Sequence, residues 1–321
     1  MKENILKEKI FEKVRNLKDN IKKVIIGKDE VIDYVICALL SQGNVLLEDV
    51  PGVGKTVLAK ALAESINLSF KRIQFTPDMM PSDILGTNVF NPKTLEFEFK
   101  KGPIFTNILL ADEINRTSPR TQAGLLEAMD EGGVTIDGVF YPLPKPFLVI
   151  ATQNPREHFG TYPLPESQLD RFFMSLTMGY LSLEEEIDML ERQKISHPLE
   201  KLTPIWNKED VLFAQDLVKH VYVHKDILEY ITQIVRNTRE HPKVSLGAGP
   251  RGSISLMRSS QSMAVIRGRD YVIPEDVLDC AVPILVHRIV LKEQVESPRQ
   301  KREEIIREVL ERTKIPRVKL P

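Results

Sequence analysis

The sequence is poor in cysteine and has no long hydrophobic run. Its 321 residues include only two cysteines, Cys37 and Cys280, which are too few for a disulfide framework or a zinc knuckle. No apolar stretch approaches the roughly 18 residues that a membrane-spanning helix requires. The first residues alternate charged and apolar side chains and lack the apolar segment of a secretory signal. These absences predict a cytoplasmic protein without a transmembrane segment.

A strong net charge is also missing, since the formal charge of the whole chain is −1. The two ends are basic: residues 1–23 carry eight Lys or Arg against four acids, and residues 291–321 carry nine against six. Residues 24–290 are therefore acidic, with a net charge of −8. Proteins that grip nucleic acid take their affinity from clustered cations, so nucleic acid is an unfavoured partner.

What is present is the composition of a globular chain, 42% hydrophobic and 28% charged, long enough for about two domains. From residue 24 to about residue 182, short apolar runs alternate with amphipathic stretches, which predicts a parallel α/β sheet with crossover helices. The predicted strands are residues 44–47, 71–75, 107–111 and 147–151, and the predicted helices are residues 29–41, 56–66 and 119–130.

Two stretches of this region predict inserted β-hairpins. Residues 88–101 alternate around a turn at 91–94, which puts Leu95, Phe97 and Phe99 on one face. Residues 134–141 flank Asp137-Gly138, a strong two-residue turn signal.

Strand signals stop near residue 203, and helical periodicity recurs afterwards. It predicts an all-α C-terminal domain with helices over residues 208–221, 225–240, 253–267, 275–290 and 301–313. We expect three parts: an N-terminal helix over residues 1–23, an α/β core over 24–200 and a helical domain over 201–321.

A phosphate-binding loop follows the first predicted strand, where residues 49–56 read DVPGVGKT ahead of a helix. Gly52 and Gly54 let the backbone approach a phosphate closely, and the N–H groups at the helix start favour an anion. Lys55 is expected to reach the β- and γ-phosphates of a nucleotide, and Thr56 to place its hydroxyl on Mg²⁺. The expected nucleotide-binding residues here are Val50, Pro51, Gly52, Val53, Gly54, Lys55, Thr56 and Val57.

The loop departs from the strict pattern at its first position, where Asp49 replaces glycine. Asp tolerates left-handed backbone geometry better than most residues, so we expect the loop to form.

Polar side chains also follow two other predicted strands. Asp112 and Glu113 end the strand at 107–111, where one carboxylate can hold Mg²⁺ and the other can polarise a water for attack on the γ-phosphate. Asn154 follows the strand at 147–151, and its amide can hydrogen-bond that water or the phosphate. The carboxyl ends of neighbouring parallel strands meet at one sheet edge, which predicts one composite site.

Phosphoryl transfer also calls for a mobile, bidentate cation. Arg171 and Arg251 are the best-placed arginines, and Arg116 and Arg120, just after the acidic pair, are their rivals.

Four separated runs, in order along the chain, carry a resemblance to a known family. They read LLADEINR at 109–116, ATQNP at 151–155, LPESQLDRF at 164–172, and GRDYV with PEDV at 268–272 and 274–277. With these runs the chain resembles the MoxR family of AAA+ ATPases from about residue 21 to residue 288.

The resemblance implies an AAA+ P-loop core, a parallel sheet flanked by helices with inserted β-hairpins, and a C-terminal all-α lid. It implies ATP and Mg²⁺ as cofactors, and a ring, expected to hold six subunits. The implied roles are Walker A for Lys55 and Thr56, Walker B for Asp112 and Glu113, sensor 1 for Asn154, arginine finger for Arg171, sensor 2 for Arg251, and adenine-side contacts for Ile26 and Gly27. The family implies a chaperone-like activity on a protein client, with a partner that carries a von Willebrand factor A domain.

Three alternatives stay open at this point. A nucleic-acid-translocating motor shares the inserted hairpins, but the Asp137-Gly138 tip carries no cation. A nucleotide-gated scaffold would bind ATP without needing Glu113 as a second carboxylate. A metal-chelatase motor subunit would use the same residues on a different client.

Overall fold

The computed structural model describes residues 2–155 and 160–318. Its helices are α1 (Lys2–Lys22), α2 (Asp29–Leu40), α3 (Lys55–Ile66), α4 (Pro81–Leu85), α5 (Pro119–Glu131), α6 (Glu166–Leu169), α7 (Leu183–Gln193), α8 (Lys208–Lys219), α9 (Lys225–Glu240), α10 (Pro250–Ile266), α11 (Pro274–Leu285) and α12 (Pro298–Arg312). Its strands are β1 (Val45–Glu48), β2 (Phe70–Gln74), β3 (Gly86–Asn91), β4 (Glu96–Lys101), β5 (Ile108–Asp112), β6 (Gly133–Ile136), β7 (Val139–Pro142), β8 (Leu148–Gln153), β9 (Met174–Leu176), β10 (Val244–Leu246) and β11 (Val290–Leu291).

The central sheet is parallel and has five strands in the order β2-β5-β8-β1-β9. The predicted α/β core is confirmed, and its four predicted strands are β1, β2, β5 and β8. The fifth, β9, has only three residues, which is too short a run for the sequence pattern to reveal. Because β5, β8 and β1 are neighbours, their carboxyl ends lie side by side at one edge of the sheet.

Both predicted hairpins are present as the antiparallel pairs β3-β4 and β6-β7. Asp137 and Gly138 have φ of 49° and 80°, the left-handed geometry that a tight hairpin turn requires. One detail differs, because β4 begins at Glu96. Leu95 sits in the turn with φ of 58° and does not extend the strand face that Phe97 and Phe99 share.

The C-terminal part is helical apart from the short antiparallel pair β10-β11. The predicted helix start at Ser253 is too late, because α10 begins at Pro250. Proline at the first helical position, after Gly249, loses no helical hydrogen bond there. This earlier start puts Arg251 in the first turn of α10. Among the described residues, no helix is both long enough and apolar enough to cross a bilayer.

A buried arginine joins the helical part to the sheet. Arg288 follows α11, is 6% exposed and donates from Nη2 to the Phe172 carbonyl at 2.6 Å. It also donates to the Phe173 carbonyl at 3.1 Å and to Asp170 Oδ1 at 2.9 Å. Burial lowers the pKa of Arg288 to about 10, while Asp170 acts in the opposite direction. The guanidinium therefore stays charged and fixes the segment that leads into β9.

We expect Arg288→Met to lower the free energy of unfolding by about 3–5 kcal/mol, because it removes the cation and leaves buried acceptors without a donor. Urea unfolding measures this loss. The control Arg307→Met, on the exposed side of α12, is expected to stay within about 0.5 kcal/mol of wild type. Equal losses in the two variants would contradict the role given to Arg288.

Candidate active site

The loop at residues 49–56 connects β1 to α3, as the sequence predicts. Gly52 and Gly54 have φ of 86° and 94°, backbone geometry that favours glycine at both positions. Lys55 is the first residue of α3, and its Nζ donates to the Asp49 carbonyl at 3.0 Å. Burial lowers the pKa of Lys55, while the carboxylates of Asp49, Asp112 and Glu113 act in the opposite direction. The loop thus places the Lys55 ammonium group beside the N-terminus of α3.

Asp49 does not need the left-handed geometry that we expected it to tolerate, because its φ is not positive. Its side chain stabilises the loop instead, by accepting backbone hydrogen bonds. Oδ1 accepts the Val50 N–H at 2.9 Å, and Oδ2 accepts the N–H groups of Met178 and Gly179, both at 2.7 Å. The acid at this position therefore holds the loop to the segment that follows β9.

We expect Asp49→Ala to lower the free energy of unfolding by about 1.5–3 kcal/mol, since these hydrogen bonds go to a charged and buried acceptor. Asp49→Asn should lose less, because its amide oxygen still accepts. Thermal or urea unfolding measures both, with Asp216→Ala on the exposed face of α8 as control. If Asp49→Ala is as stable as that control, the carboxylate does not hold the loop.

The acidic pair is fixed from the neighbouring strand. The Thr152 hydroxyl donates to Asp112 Oδ1 at 2.6 Å and accepts the Glu113 N–H at 2.9 Å. Glu113 has φ of 58°, which turns the chain sharply after β5. Its Oε2 accepts from Gln74 Nε2 at 2.6 Å and lies 3.0 Å from Arg116 Nε.

Sequence reasoning missed Arg72, Gln74 and Thr152. Arg72 Nη2 lies 2.6 Å from Asp112 Oδ2, so β2 contributes a cation to the acidic pair. The available signal was the alternation of polar residues in the predicted strand at 71–75. Only the strand order, with β2 beside β5, shows which carboxylate Arg72 contacts.

These residues surround one cavity of about 370 Å³ at the carboxyl edge of the sheet. It brings together most of the predicted loop residues, both acids and Asn154, which is 8% exposed. The lining is Pro51, Gly52, Gly54, Lys55, Thr56, Val57, Arg72, Gln74, Asp112, Glu113 and Asn154. Val50 is not among these lining residues.

A smaller apolar pocket of about 90 Å³ adjoins this cavity and shares Gly54 and Val57 with it. Ile26 and Val53 line it, as does Met178. Gly27 has φ of 66°, and a Cβ there would come within 2.1 Å of the Glu185 carboxylate. The positive φ favours glycine at position 27, and Ile26 contributes to the wall of the pocket, whereas Gly27 is not among its lining residues.

Arg171 and Arg251 lie elsewhere and share one acceptor. Arg171 Nη1 is 3.2 Å and Arg251 Nη2 is 3.6 Å from Asp130 Oδ2. Asp130 lies near the end of α5, a helix that runs from the carboxyl edge of the sheet back toward its amino edge. Phe173, two residues after Arg171, donates its N–H to the carbonyl of Asn44, just before β1.

The two arginines thus lie toward the amino edge of the sheet. A five-residue strand separates the two edges by about 17 Å. Neither arginine lines the phosphate cavity in the part of the chain that the structure describes. Of their rivals, Arg116 lies beside Glu113, and Arg120 is exposed at the start of α5.

The donor set fits Mg²⁺ bound together with a nucleotide. Mg²⁺ commonly takes one or two carboxylates, substrate phosphates and waters, and Thr56 and Asp112 line the same cavity. Within residues 2–155 and 160–318, no group of three or more His, Cys, Asp or Glu side chains is arranged to hold a metal alone. Such a site depends on the phosphates.

Comparisons with known proteins agree with this geometry. Residues 44–174 match the family model for the ATPase family associated with various cellular activities (AAA), and residues 236–309 match the AAA lid domain. The chain is 53% identical to YeaC of Bacillus subtilis over 298 residues, 93% of each protein. It is 41% identical to Chaperone MoxR1 of Mycobacterium tuberculosis over 307 residues, 93% of this chain and 81% of that one.

A crystal structure from Cytophaga hutchinsonii, of a protein assigned as an ATPase, superposes with a TM-score of 0.88 at 38% identity. The match covers 98% of this chain and 99% of that one. Both the core and the lid are therefore shared with a solved structure. The chain belongs to the MoxR family of AAA+ ATPases.

Proposed function

We propose that this ATPase hydrolyses Mg-ATP in a ring of identical subunits, expected to be six, and uses the turnover to remodel or activate a protein partner. One observation carries the proposal. The nucleotide cavity holds Lys55, Asp112, Glu113 and Asn154 at one edge of the sheet, while Arg171 and Arg251 lie at the other. A complete site then needs the cavity of one subunit and the arginines of the next.

The loop and the adjoining pocket divide the work of binding ATP. Backbone N–H groups from Gly52 to Thr56 surround the β- and γ-phosphates, and Lys55 neutralises part of their charge. The apolar pocket with Ile26, Val53 and Val57 takes the adenine ring. Gly27 turns the chain just after Ile26, with a positive φ that favours glycine.

Thr56 and Asp112 would hold Mg²⁺, which neutralises charge on the phosphate oxygens when bound. Arg72 and Thr152 both donate hydrogen bonds to the Asp112 carboxylate, from β2 and β8. Arg72 therefore offsets part of the negative charge of the acidic pair.

Glu113 orients the attacking water, and its surroundings fix its carboxylate for that task. Thr152 holds the Glu113 backbone, and Gln74 holds Oε2. Asn154, at the end of β8, hydrogen-bonds the water or the γ-phosphate. Catalysis then consists mainly of positioning and charge stabilisation, as is general for phosphoryl transfer.

Arg171 supplies the finger to the neighbouring nucleotide, and Arg251 accompanies it. In the single chain, Asp130 pairs with both arginines. This pairing keeps the two guanidinium groups together at the amino edge, where a neighbour's γ-phosphate can replace the carboxylate. The bidentate geometry of arginine suits such a phosphate contact.

A protein client is supported by the name of the chaperone relative from Mycobacterium tuberculosis. The partner with a von Willebrand factor A domain follows from the family resemblance, and the cytoplasmic location stays a prediction. The acidic charge of residues 24–290 and the Asp137-Gly138 hairpin tip argue against a nucleic-acid motor. A chelatase motor subunit would differ in its client only.

The client is tested by trapping it on the ATP-bound chain. Tagged Glu113→Gln protein, expected to bind ATP without hydrolysing it, is recovered from cells with ATP, and Lys55→Ala serves as the control that cannot hold ATP. A protein with a von Willebrand factor A domain on the first variant alone would support the proposal. Nuclease-sensitive nucleic acid in its place would favour the translocating motor.

A further inference from the structure

A carboxylate at the end of β1 joins three strands beside the nucleotide cavity. Glu48 is the last residue of β1 and directly precedes the phosphate loop, and its side chain is 13% exposed. Its Oε1 accepts a hydrogen bond from Gln153 Nε2 of β8 at 2.6 Å, and its Oε2 accepts one from Ser175 Oγ of β9 at 2.8 Å. Gln153 is followed by Asn154, which lines the cavity. Glu48 therefore links the residue before Asn154 to the start of the loop.

The cation that pairs with Glu48 comes from the helical C-terminal part of the chain. Arg299 lies at the start of α12, and its Nη1 forms an ion pair with Glu48 Oε2. Nη1 also donates to Ser175 Oγ at 2.7 Å, and Nη2 donates to the Ser175 carbonyl at 3.0 Å. The Arg299 side chain is 22% exposed, and its Nε lies 3.1 Å from Glu303 Oε1 of the same helix. The guanidinium is thus fixed between α12 and β9.

A second arginine of α12 adds positive charge near the same carboxylate. Burial lowers the pKa of Arg302, while Glu48 acts in the opposite direction. Arg302 follows Arg299 by three residues, so the two lie on one side of the helix. A paired cation and hydrogen bonds stabilise a carboxylate that is largely removed from water. Helix α12 therefore offsets the negative charge that β1 places between its neighbouring strands.

The phosphate loop has a separate attachment to the sheet. The Asp49 carboxylate accepts the N–H groups of Met178 and Gly179, which follow β9, and these hydrogen bonds do not involve α12. Loss of Arg299 should therefore leave the loop able to bind phosphate.

Loss of Arg299 acts instead on the end of β8. It leaves the Glu48 carboxylate without its ion-pair partner, and Gln153 then donates to an acceptor that α12 no longer fixes. Asn154 follows directly, and a displacement of about 1 Å in a catalytic group can cost about 10²-fold in rate. The cost should therefore fall on turnover rather than on ATP affinity.

We propose that Arg299 is a positioning residue for ATP hydrolysis, which acts through Glu48 on the end of β8 that leads to Asn154. The inference rests on the hydrolysis proposed above and extends it to a residue that is not among those lining the cavity in the described part of the chain. Through this ion pair, α12 takes part in turnover within its own subunit without contacting the nucleotide.

Arg299→Met tests the assignment, because it removes the cation but keeps a long side chain. Turnover at saturating ATP is expected to fall about tenfold. The dissociation constant for ATP, measured by equilibrium binding, should stay close to that of wild type, since the lost positioning matters only in the transition state. Turnover is measured at protein concentrations where the wild type reaches its full specific activity. A fall in ATP affinity as large as the fall in turnover would overturn the inference.

The matched control is Arg307→Met. Arg307 also lies on α12 and pairs with Glu303, but its side chain is 59% exposed. It should keep wild-type turnover and ATP affinity. Equal losses in the two variants, or wild-type turnover in Arg299→Met, would overturn the inference and leave the proposed hydrolysis standing. If the wild-type chain hydrolyses no ATP, the proposed function and this inference both fail.

Two further variants separate positioning from folding. Arg299→Lys should recover most of the lost turnover, since its ammonium group still supplies a cation for Glu48. The double variant Glu48→Gln with Arg299→Met should lose no more turnover than the worse of its two single variants, because Arg299 acts through Glu48. Losses that multiply in the double variant, or an Arg299→Lys protein as slow as Arg299→Met, would contradict the inference.

Discussion

Glu113→Gln is expected to reduce ATP turnover by about 10²–10⁴-fold while ATP still binds. The reason is local. The carboxylate lies at the wall of the cavity that also holds Lys55 and Asp112, and the amide that replaces it cannot take up a proton from the attacking water. The hydrogen bond from Gln74 and the hydrogen bond between the residue 113 N–H and Thr152 survive the change, so the chain just after β5 should keep its conformation. Phosphate release at saturating ATP measures the loss, and equilibrium binding of ATP measures what remains.

The matched control is Glu64→Gln, on the exposed side of α3, which should turn over ATP like wild type. A Glu113→Gln protein with wild-type turnover would assign water activation to another group. Loss of ATP binding in the same variant would instead show that Glu113 supports the fold of the cavity.

Arg171→Ala is expected to lose about 10³–10⁵-fold in turnover, the range for removal of an arginine finger. The loss should appear at protein concentrations where the chain assembles, and ATP affinity of the isolated chain should not change. Both expectations follow from the position of Arg171 at the amino edge of the sheet, beside Asp130 and away from the cavity. Removing it takes charge stabilisation from the transition state of the adjacent subunit.

Arg120→Ala is the control for this variant, since Arg120 is exposed at the start of α5 and is not among the residues that line the cavity. It should retain wild-type turnover. Wild-type turnover by Arg171→Ala at saturating protein would remove Arg171 from the site and direct attention to Arg116, which lies beside Glu113.

The sequence was sufficient for the residues that follow strands directly. Asp112, Glu113 and Asn154 lie at the ends of apolar runs, Lys55 ends the loop that follows another such run, and parallel strands bring their carboxyl ends to one edge. Local order along the chain therefore determined a three-dimensional cluster. The two hairpins were equally accessible, because alternation and turn residues are short-range signals.

Contacts between strands could not be predicted from the sequence. Thr152 and Arg72 support the acidic pair from β8 and β2, and only the strand order shows that these strands flank β5. Asp49 was predicted to survive by backbone tolerance, yet its carboxylate binds N–H groups about 130 residues away in the chain. A long-range acceptor of this kind leaves no periodic signal.

The arginines illustrate a third limit. Their sequence positions identified Arg171 and Arg251 as candidates, but the side of the sheet on which each lies depends on how α5 and α10 pack. In the structure both lie beside Asp130, a residue that no pattern in the sequence indicated. This position is what makes the neighbouring subunit part of the proposed site.

The most direct test of the account mixes two inactive variants, Arg171→Ala and Glu113→Gln. In a mixed ring, some sites combine Glu113 of an Arg171→Ala subunit with Arg171 of a Glu113→Gln neighbour, and those sites are complete. We predict that ATP turnover, nearly absent in each variant alone, returns to a clear fraction of wild type in the mixture. A mixture as inactive as its components, although it assembles, would contradict a site shared between subunits.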